Sequence, residues 1–348
     1  MVKDRIVYYD FLRCFAIILV IAVHSFSSSF SDGTVSISVL AIRNLCNVAV
    51  PIFLALSGYF MAQKNLESGN FLPFIKKQLI RVWFPVLFCS LPLLFLDILH
   101  GRHLFYCLIN FFFCGYSVYY FVAVVIQCYL LLPFLNWMYK RSNKSYIALM
   151  IFTLFFAILG WALKSYLFPY YSIKLPLIIY AGGFWMWSVF FVLGIYLGKR
   201  KNNISTKMVI LFTLLSFALC CVESLHLHTS SSFEGVGQKP STMLFAFFVI
   251  PILLSEQVKN FFESIHSRIF DFFAKIGFYS FGIYLIHCYI LMFLKSYVKK
   301  TFTNILRTKR IHPMDVIDRH YIVRFFFNPL DMQAFVPTIY KTVFRSLT

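Results

Sequence analysis

In a chain this apolar the chemistry has to come from its few polar residues, and the first apolar stretch holds two of them. In YYDFLRCFAIILVIAVHS, residues 8–25, Arg13 and His24 stand eleven positions apart. At about 100° per residue, eleven steps close about three helical turns, so both side chains share one face about 16 Å apart along the axis. Asp10 lies one turn before Arg13, spaced to pair with it. An arginine is a permanent cation whose planar fork suits phosphate or carboxylate. A histidine farther along the same face is a proton acceptor near neutral pH. An ionisable group inside a bilayer costs at least a few kcal/mol, so such residues mark a cavity or a partner. The pair also fits a structural reading, with Arg13 snorkelling to the headgroups and His24 standing at the far interface.

The elements that must position these residues are membrane-spanning helices. The 348 residues are 60% hydrophobic, 20% aromatic and only 13% charged, whereas a soluble domain carries about 25% charged residues. A mean hydropathy of +0.77 with 44 Phe excludes an ordinary soluble enzyme, a disulfide scaffold and a disordered chain. The apolar runs are continuous over about 20 residues, which excludes the alternating strands of a membrane barrel. The predicted fold class is all-α, a polytopic transmembrane helical bundle of about nine or ten spans. The spans are placed at 7–28, 43–62, 79–99, 118–138, 146–163, 178–197, 208–225, 241–258 and 276–297. The stretch 103–116 is apolar but short, and reads as re-entrant or interfacial. Residues 321–340 hold Arg324, Pro329, Asp331 and Pro337, poor material for a span. Residues 259–275 alternate aromatic pairs with charges and are predicted as one amphipathic helix on the inner surface. Residues 1–297 form the transmembrane domain, and 298–348 a basic, atypical C-terminal tail, interfacial in the simplest reading.

Orientation follows from charge. With the N-terminus inside, the inner loops hold sixteen Lys and Arg, and the outer ones only Arg102, Lys164, Lys174 and Lys239. That bias predicts a cytoplasmic N-terminus in a multi-pass protein of the inner (cytoplasmic) membrane. Lys299, Lys300, Arg307, Lys309, Arg310 and Arg319 break the rule, since nine spans put them outside. The net charge of +19 therefore needs no nucleic-acid partner, and no soluble basic domain exists to bind one. The first run is long enough to span and lacks a small-residue cleavage site, so it reads as a retained helix. The nine Cys are scattered with no CxxC spacing and read as buried thiols. Glu223, His226 and His228 have zinc-like spacing without an obvious fourth ligand, so no metal is predicted.

Other polar residues carry two readings each. Ser57 and Gly58 line a substrate path or let two helices pack closely. His287 ends a span with Tyr284 one turn earlier, and either orients an acceptor or marks an interface. Gln127 lies mid-span and needs an interhelical bond or a cavity. Tyr119, Tyr120, Trp161, Trp185 and Trp187 read as interfacial belts.

Several pieces of the chain, in this order, resemble the acyltransferase 3 family of integral membrane acyltransferases. The first helix has a basic residue, ten intervening residues and a histidine, matched by Arg13 and His24. VAVPIFLALSGYF, residues 48–60, resembles the family's VPxFFxLSGY helix. FIKKQLIRVWFP resembles its Arg-x-x-Arg then Pro loop, with Gln78 in the place of the first Arg, Arg81 matching the second, and Lys76 and Lys77 adjacent. SVYYFVAVVIQCYLLLPFL and YSFGIYLIH, ending in His287, match two later helices, and the resemblance spans about residues 8–290. The resemblance implies transfer of an acyl group, commonly acetyl, from cytoplasmic acyl-CoA to a hydroxyl of a cell-surface or lipid-linked polysaccharide, in a membrane lipid setting. On that footing Arg81, Lys77, Lys76 and Gln78 form the donor site with Arg13 beside them. His24 acts as base or covalent acyl carrier. Ser57, Gly58, His287, Tyr284 and Asp10 line the substrate path. The chain resembles stand-alone members without a fused esterase-like domain. A transporter or flippase for a glycan or small anion, or an inactive subunit of a glycan export complex, is the competing expectation.

Overall fold

A computed structural model describes residues 6–25, 37–62, 64, 70–173, 175, 177–200, 206–230, 237–265 and 268–308. Its elements are helices: α1 (Val7–Ser25), α2 (Ile37–Cys46), α3 (Ala49–Met61), α4 (Phe71–Gln78), α5 (Phe84–Leu99), α6 (Leu104–Phe112), α7 (Tyr120–Leu130), α8 (Leu132–Arg141) and α9 (Asn143–Ala162). They continue as α10 (Phe168–Tyr170), α11 (Leu177–Ala181), α12 (Ser188–Lys199), α13 (Thr206–Ser230), α14 (Pro240–Leu253), α15 (Glu256–Ser264), α16 (Arg268–Phe278) and α17 (Ser280–Thr308). The chain is a polytopic helical bundle. Among the described residues six helical segments are long and apolar enough to cross a membrane, and up to eight crossings result if each of two bent pairs counts as one. The region expected at 178–197 forms a shorter apolar helix, α12, instead of a full-length span.

Proline explains the breaks. Pro85 and Pro169 lack an amide hydrogen, and their rings crowd the carbonyl four residues back. In both places the chain widens into a π turn, at Leu79–Trp83 and Leu163–Leu167, and the helix then runs on. Pro133 stands at the start of α8, where the chain bends 46° from α7. The α14–α15 pair bends 57°, and the Ser255 hydroxyl caps α15 by accepting from the Val258 amide at 3.3 Å.

The centre of the bundle is α12, in which Ser188 through Ile195 and Leu197 are all buried. A helix apolar on every side belongs in a core. It packs backbone to backbone on α3: a Cβ on Gly194 would stand 2.8 Å from the Ala55 carbonyl carbon, and one on Gly58 3.1 Å from the Ile195 amide nitrogen. Small residues allow that approach, where dispersion replaces the hydrophobic drive absent between helices in lipid. Gly58 is thus filled from the α12 side.

Two further expectations are corrected. Residues 256–264 and 268–278 form two helices where one was predicted, and α16 lies against α1, with Phe270 stacked on Phe11 at 4.8 Å. Tyr119, Trp161 and Trp187 are buried, not belt residues; the two indoles meet edge to face at 5.3 Å. Trp185 remains 48% exposed, as a belt residue should be. The short helix α6 fits the non-spanning expectation for 103–116, and Trp83 ties it to α5 by donating to the Phe112 carbonyl at 2.9 Å. Helix α17 runs unbroken past 297 to Thr308, while the stretch 321–340 lies outside the described residues.

Candidate active site

Two polar clusters lie along α1, one at each end. At the far end His24, in the last turn of α1, meets His287 of α17 with ring centroids 5.3 Å apart. His287 is buried, and its Nδ1 lies 2.6 Å from the Tyr284 carbonyl oxygen. A carbonyl only accepts, so Nδ1 carries the hydrogen and donates it, leaving Nε2 with its lone pair. Lys295 Nζ donates to the His24 carbonyl at 3.4 Å, and the charges of Arg43 and Lys295 reach the His24 ring.

Three tyrosines register α17 so that this pairing holds. Tyr119 donates to the Leu285 carbonyl at 2.7 Å and Tyr289 to the Cys89 carbonyl at 2.6 Å. Tyr284 donates to the Val118 carbonyl. The Tyr284 hydroxyl therefore faces the wall formed by 117–119. Each bond spends a side-chain hydroxyl on a helix carbonyl, and a buried hydroxyl without such a partner would cost about 1–3 kcal/mol.

At the other end Asp10 is buried and accepts from Arg13 Nη1 at 2.7 Å, while the guanidinium lies 4.9 Å over the Phe60 ring. The Arg13 side chain stays 36% exposed, so its fork is reachable from outside the bundle. Tyr129 bonds with Ser57 and lies within reach of the charges of Arg13 and Arg81. Phe74 packs edge-on to Tyr129 at 5.8 Å and carries Lys64 Nζ 4.9 Å above its ring. Burial first, then the neighbouring charges of Arg81 and Lys77, holds the Lys64 ammonium below the usual lysine range. Lys76, Lys77 and Arg81 are exposed, whereas Gln78 turns inward and is buried. Four cations from three separate segments thus converge around an aromatic floor, an arrangement suited to an anionic ligand.

A third polar group, in which the sequence reading marked only Glu223 and Lys239 and for other reasons, braces the His24 end. Arg43 donates to Asn47 Oδ1 at 3.0 Å, and Lys239 donates to Asn44 Oδ1 at 2.6 Å. Asn44 also exchanges hydrogen bonds with Ser224 at 2.9 and 3.0 Å. Burial pulls Lys239 down to about 8, with Arg43 adding to the effect and Cys220 and Glu223 opposing it. Glu223 accepts from the Tyr166 hydroxyl at 2.7 Å and from the Ser241 amide at 2.9 Å, so the π turn after α9 is tied to α13 and α14. Among the described residues no three His, Cys, Asp or Glu side chains come together as a metal site. Gln127 takes its structural alternative: it donates to the Gly182 carbonyl at 2.8 Å and accepts from the Phe184 amide at 3.0 Å.

Arg43 and Lys295 sit in helices whose sequences read as plain spans, and Cys288 is one of nine scattered thiols. A charge inside an apolar run was the available signal for Arg43. Its meaning depends on facing His24, which no spacing within α2 reveals.

The comparisons with known proteins agree in kind. A family model described as an acyltransferase domain, of the acyltransferase 3 type, matches residues 6–314. No curated protein and no solved structure matches the chain.

Proposed function

The chain belongs to the acyltransferase 3 family, and we propose that it moves an acetyl group from cytoplasmic acetyl-CoA to a hydroxyl of a cell-surface or lipid-linked polysaccharide, such as a lipopolysaccharide O-antigen. The observation that carries this reading is the pairing of His24 with His287 at 5.3 Å, on the same helix face as Arg13. On this reading the N-terminus is cytoplasmic and the protein sits in the inner membrane. The pyrophosphate and ribose phosphate of the donor lie against Arg13, Lys64, Lys77 and Arg81. The pantetheine arm, an extended chain, reaches from there toward His24. Lys76 adds to the positive mouth, and Gln78 supports the floor from within.

The chemistry then runs at the His24 end. His24 takes the proton of the acceptor hydroxyl as the oxygen attacks the carbonyl of the acyl thioester. The carbon–sulfur bond breaks, the sulfur leaves as a thiolate, and that thiolate takes up the proton. Arg43 and Lys295 lie where a developing negative charge would be stabilised. Ser57, Tyr284 and Asp10 shape and hold the path without entering the bond changes.

Inside-out membrane vesicles supplied with radiolabelled acetyl-CoA test the reading. Label is expected in the glycan fraction with wild type, reduced about 100- to 10,000-fold in His24→Ala. A His24→Ala protein that inserts normally and transfers at the wild-type rate would remove His24 from the chemistry.

A further inference from the structure

We infer that Cys288 is an acyl-carrying nucleophile activated by His287, so that the acyl group rests on the chain as a thioester before it reaches the acceptor. The inference depends on the acyl-transfer reading above and deepens it. Its basis is local geometry. Cys288 Sγ lies 3.3 Å from His287 Nε2. The opposite ring nitrogen, Nδ1, is fixed as the hydrogen-bearing one by the Tyr284 carbonyl at 2.6 Å. Nε2 therefore presents a lone pair to the thiol. A nucleophile, a base within reach of it, and a third group that fixes the base's tautomer make the arrangement that activates a weak nucleophile. The thiolate, not the thiol, is the attacking species, so the base is what the cysteine needs.

Position supports the same assignment. Cys288 is half-buried, whereas Cys14, Cys46, Cys107, Cys114, Cys128 and Cys220 are sealed in the core. The backbone around it is held by the Tyr119, Tyr284 and Tyr289 hydroxyls, which fixes the dyad on a rigid helix. The His24 ring centroid stands 5.3 Å from that of the base. Two neighbouring imidazoles, one of them on the thiol, divide naturally between two half-reactions.

In the first half-reaction the Cys288 S–H proton passes to His287 Nε2. The sulfur attacks the acyl-CoA carbonyl, the bond to the coenzyme's sulfur breaks, and the departing thiolate takes the proton from His287. One thioester replaces another, so no further reactant is needed. In the second half-reaction His24 takes the acceptor hydroxyl proton. The alkoxide oxygen forms the ester bond, the bond to Cys288 breaks, and the proton returns to the Cys288 thiolate through His287. The coenzyme can therefore leave before the acceptor arrives.

The test uses the full-length protein in lipid nanodiscs with radiolabelled acetyl-CoA and no acceptor. The expected result is label on the chain, released by neutral hydroxylamine, with a burst of free coenzyme A approaching one equivalent. Peptide mass spectrometry should find the acetyl group on Cys288. Cys288→Ala and the milder Cys288→Ser should lose the adduct and slow glycan labelling in vesicles at least about 100-fold. His24→Ala should keep the adduct and fail to pass it on, and Cys221→Ser should behave as wild type. Wild-type vesicles that label glycan while the chain carries no thioester, with Cys288→Ser equally active, would overturn the relay and leave the acyl-transfer reading standing. Label in neither chain nor glycan would overturn both. The adduct on wild type is read without any substitution, so a poorly folding variant does not decide the outcome.

Discussion

Replacing Gly277 by alanine probes how tightly the catalytic helix is held. Helix α16 crosses α1 at this residue, and a Cβ there would stand 2.7 Å from the Asp10 carbonyl carbon and 2.8 Å from the Cys14 amide nitrogen. Unstrained carbon contacts need about 3.5–4.0 Å, so the helices must separate by about 1 Å. Neither obstacle is a flexible side-chain tip; both are backbone. Overpacking of this kind costs about 1–3 kcal/mol, and the Phe11–Phe270 stack at 4.8 Å loosens with it. Function should suffer more than stability. Asp10 is the residue that clamps Arg13 at 2.7 Å, and α1 also carries His24. A 1 Å misplacement of reacting groups costs about 100-fold in rate. Gly282→Ala is the internal control, because a Cβ there meets nothing within 4 Å. In a helix that substitution should be neutral or stabilising by up to about 1 kcal/mol. The assay is size-exclusion after stepped heating, alongside initial rates of label transfer in vesicles. Gly277→Ala should melt several degrees below wild type and transfer label about 10- to 100-fold more slowly, while Gly282→Ala melts at or above it. Equal melting and equal rates for both variants would refute the close α1–α16 contact and the coupling drawn from it.

Two further expectations follow from the charged clusters. Arg81→Ala should raise the KM for acetyl-CoA about 10- to 100-fold, as loss of a charge-assisted bond does, and wild type should show the larger rise in KM with salt. Lys239 should give a pH signature: its folded value is about 8 against an ordinary 10.5. The folded chain then binds that proton less tightly than the unfolded one, so the burial penalty is complete below about 8 and is relieved as pH rises toward 10.5. Melting temperature should climb between these limits in wild type and climb less in Lys239→Met.

Much of the fold was written in hydrophobic length. A run of about 20 apolar residues has few stable forms in lipid other than a spanning helix, because backbone groups must be satisfied within the segment. That logic found α1, α5, α9 and α13 without reference to any neighbour. It overestimated the region of α12, where the apolar pattern marks burial inside the bundle and length falls short of a full crossing. It also merged α15 and α16, since aromatic and charged alternation continues across their junction while the helices themselves do not.

The site divides in the same way. Arg13 and His24 were legible because their relation is internal to one helix, and 3.6-residue periodicity fixes a face regardless of context. Asp10 pairing with Arg13 is equally local, and the structure has it at 2.7 Å. The partnership of His24 with His287 joins residues 263 positions apart in sequence and depends on the register that three tyrosine hydroxyls impose on α17. Likewise Trp187 changed from a belt residue to a core one, because the same indole suits an interface or a buried contact and only packing selects between them. The sequence by itself determined the helices, their apolar lengths and the polar face of α1, all of which follow from forces acting within one segment. Tertiary structure alone decided which polar faces meet, because register between helices is set by close contacts such as Gly277 on Asp10 and Gly194 on Ala55, and a one-dimensional pattern carries no record of the partner.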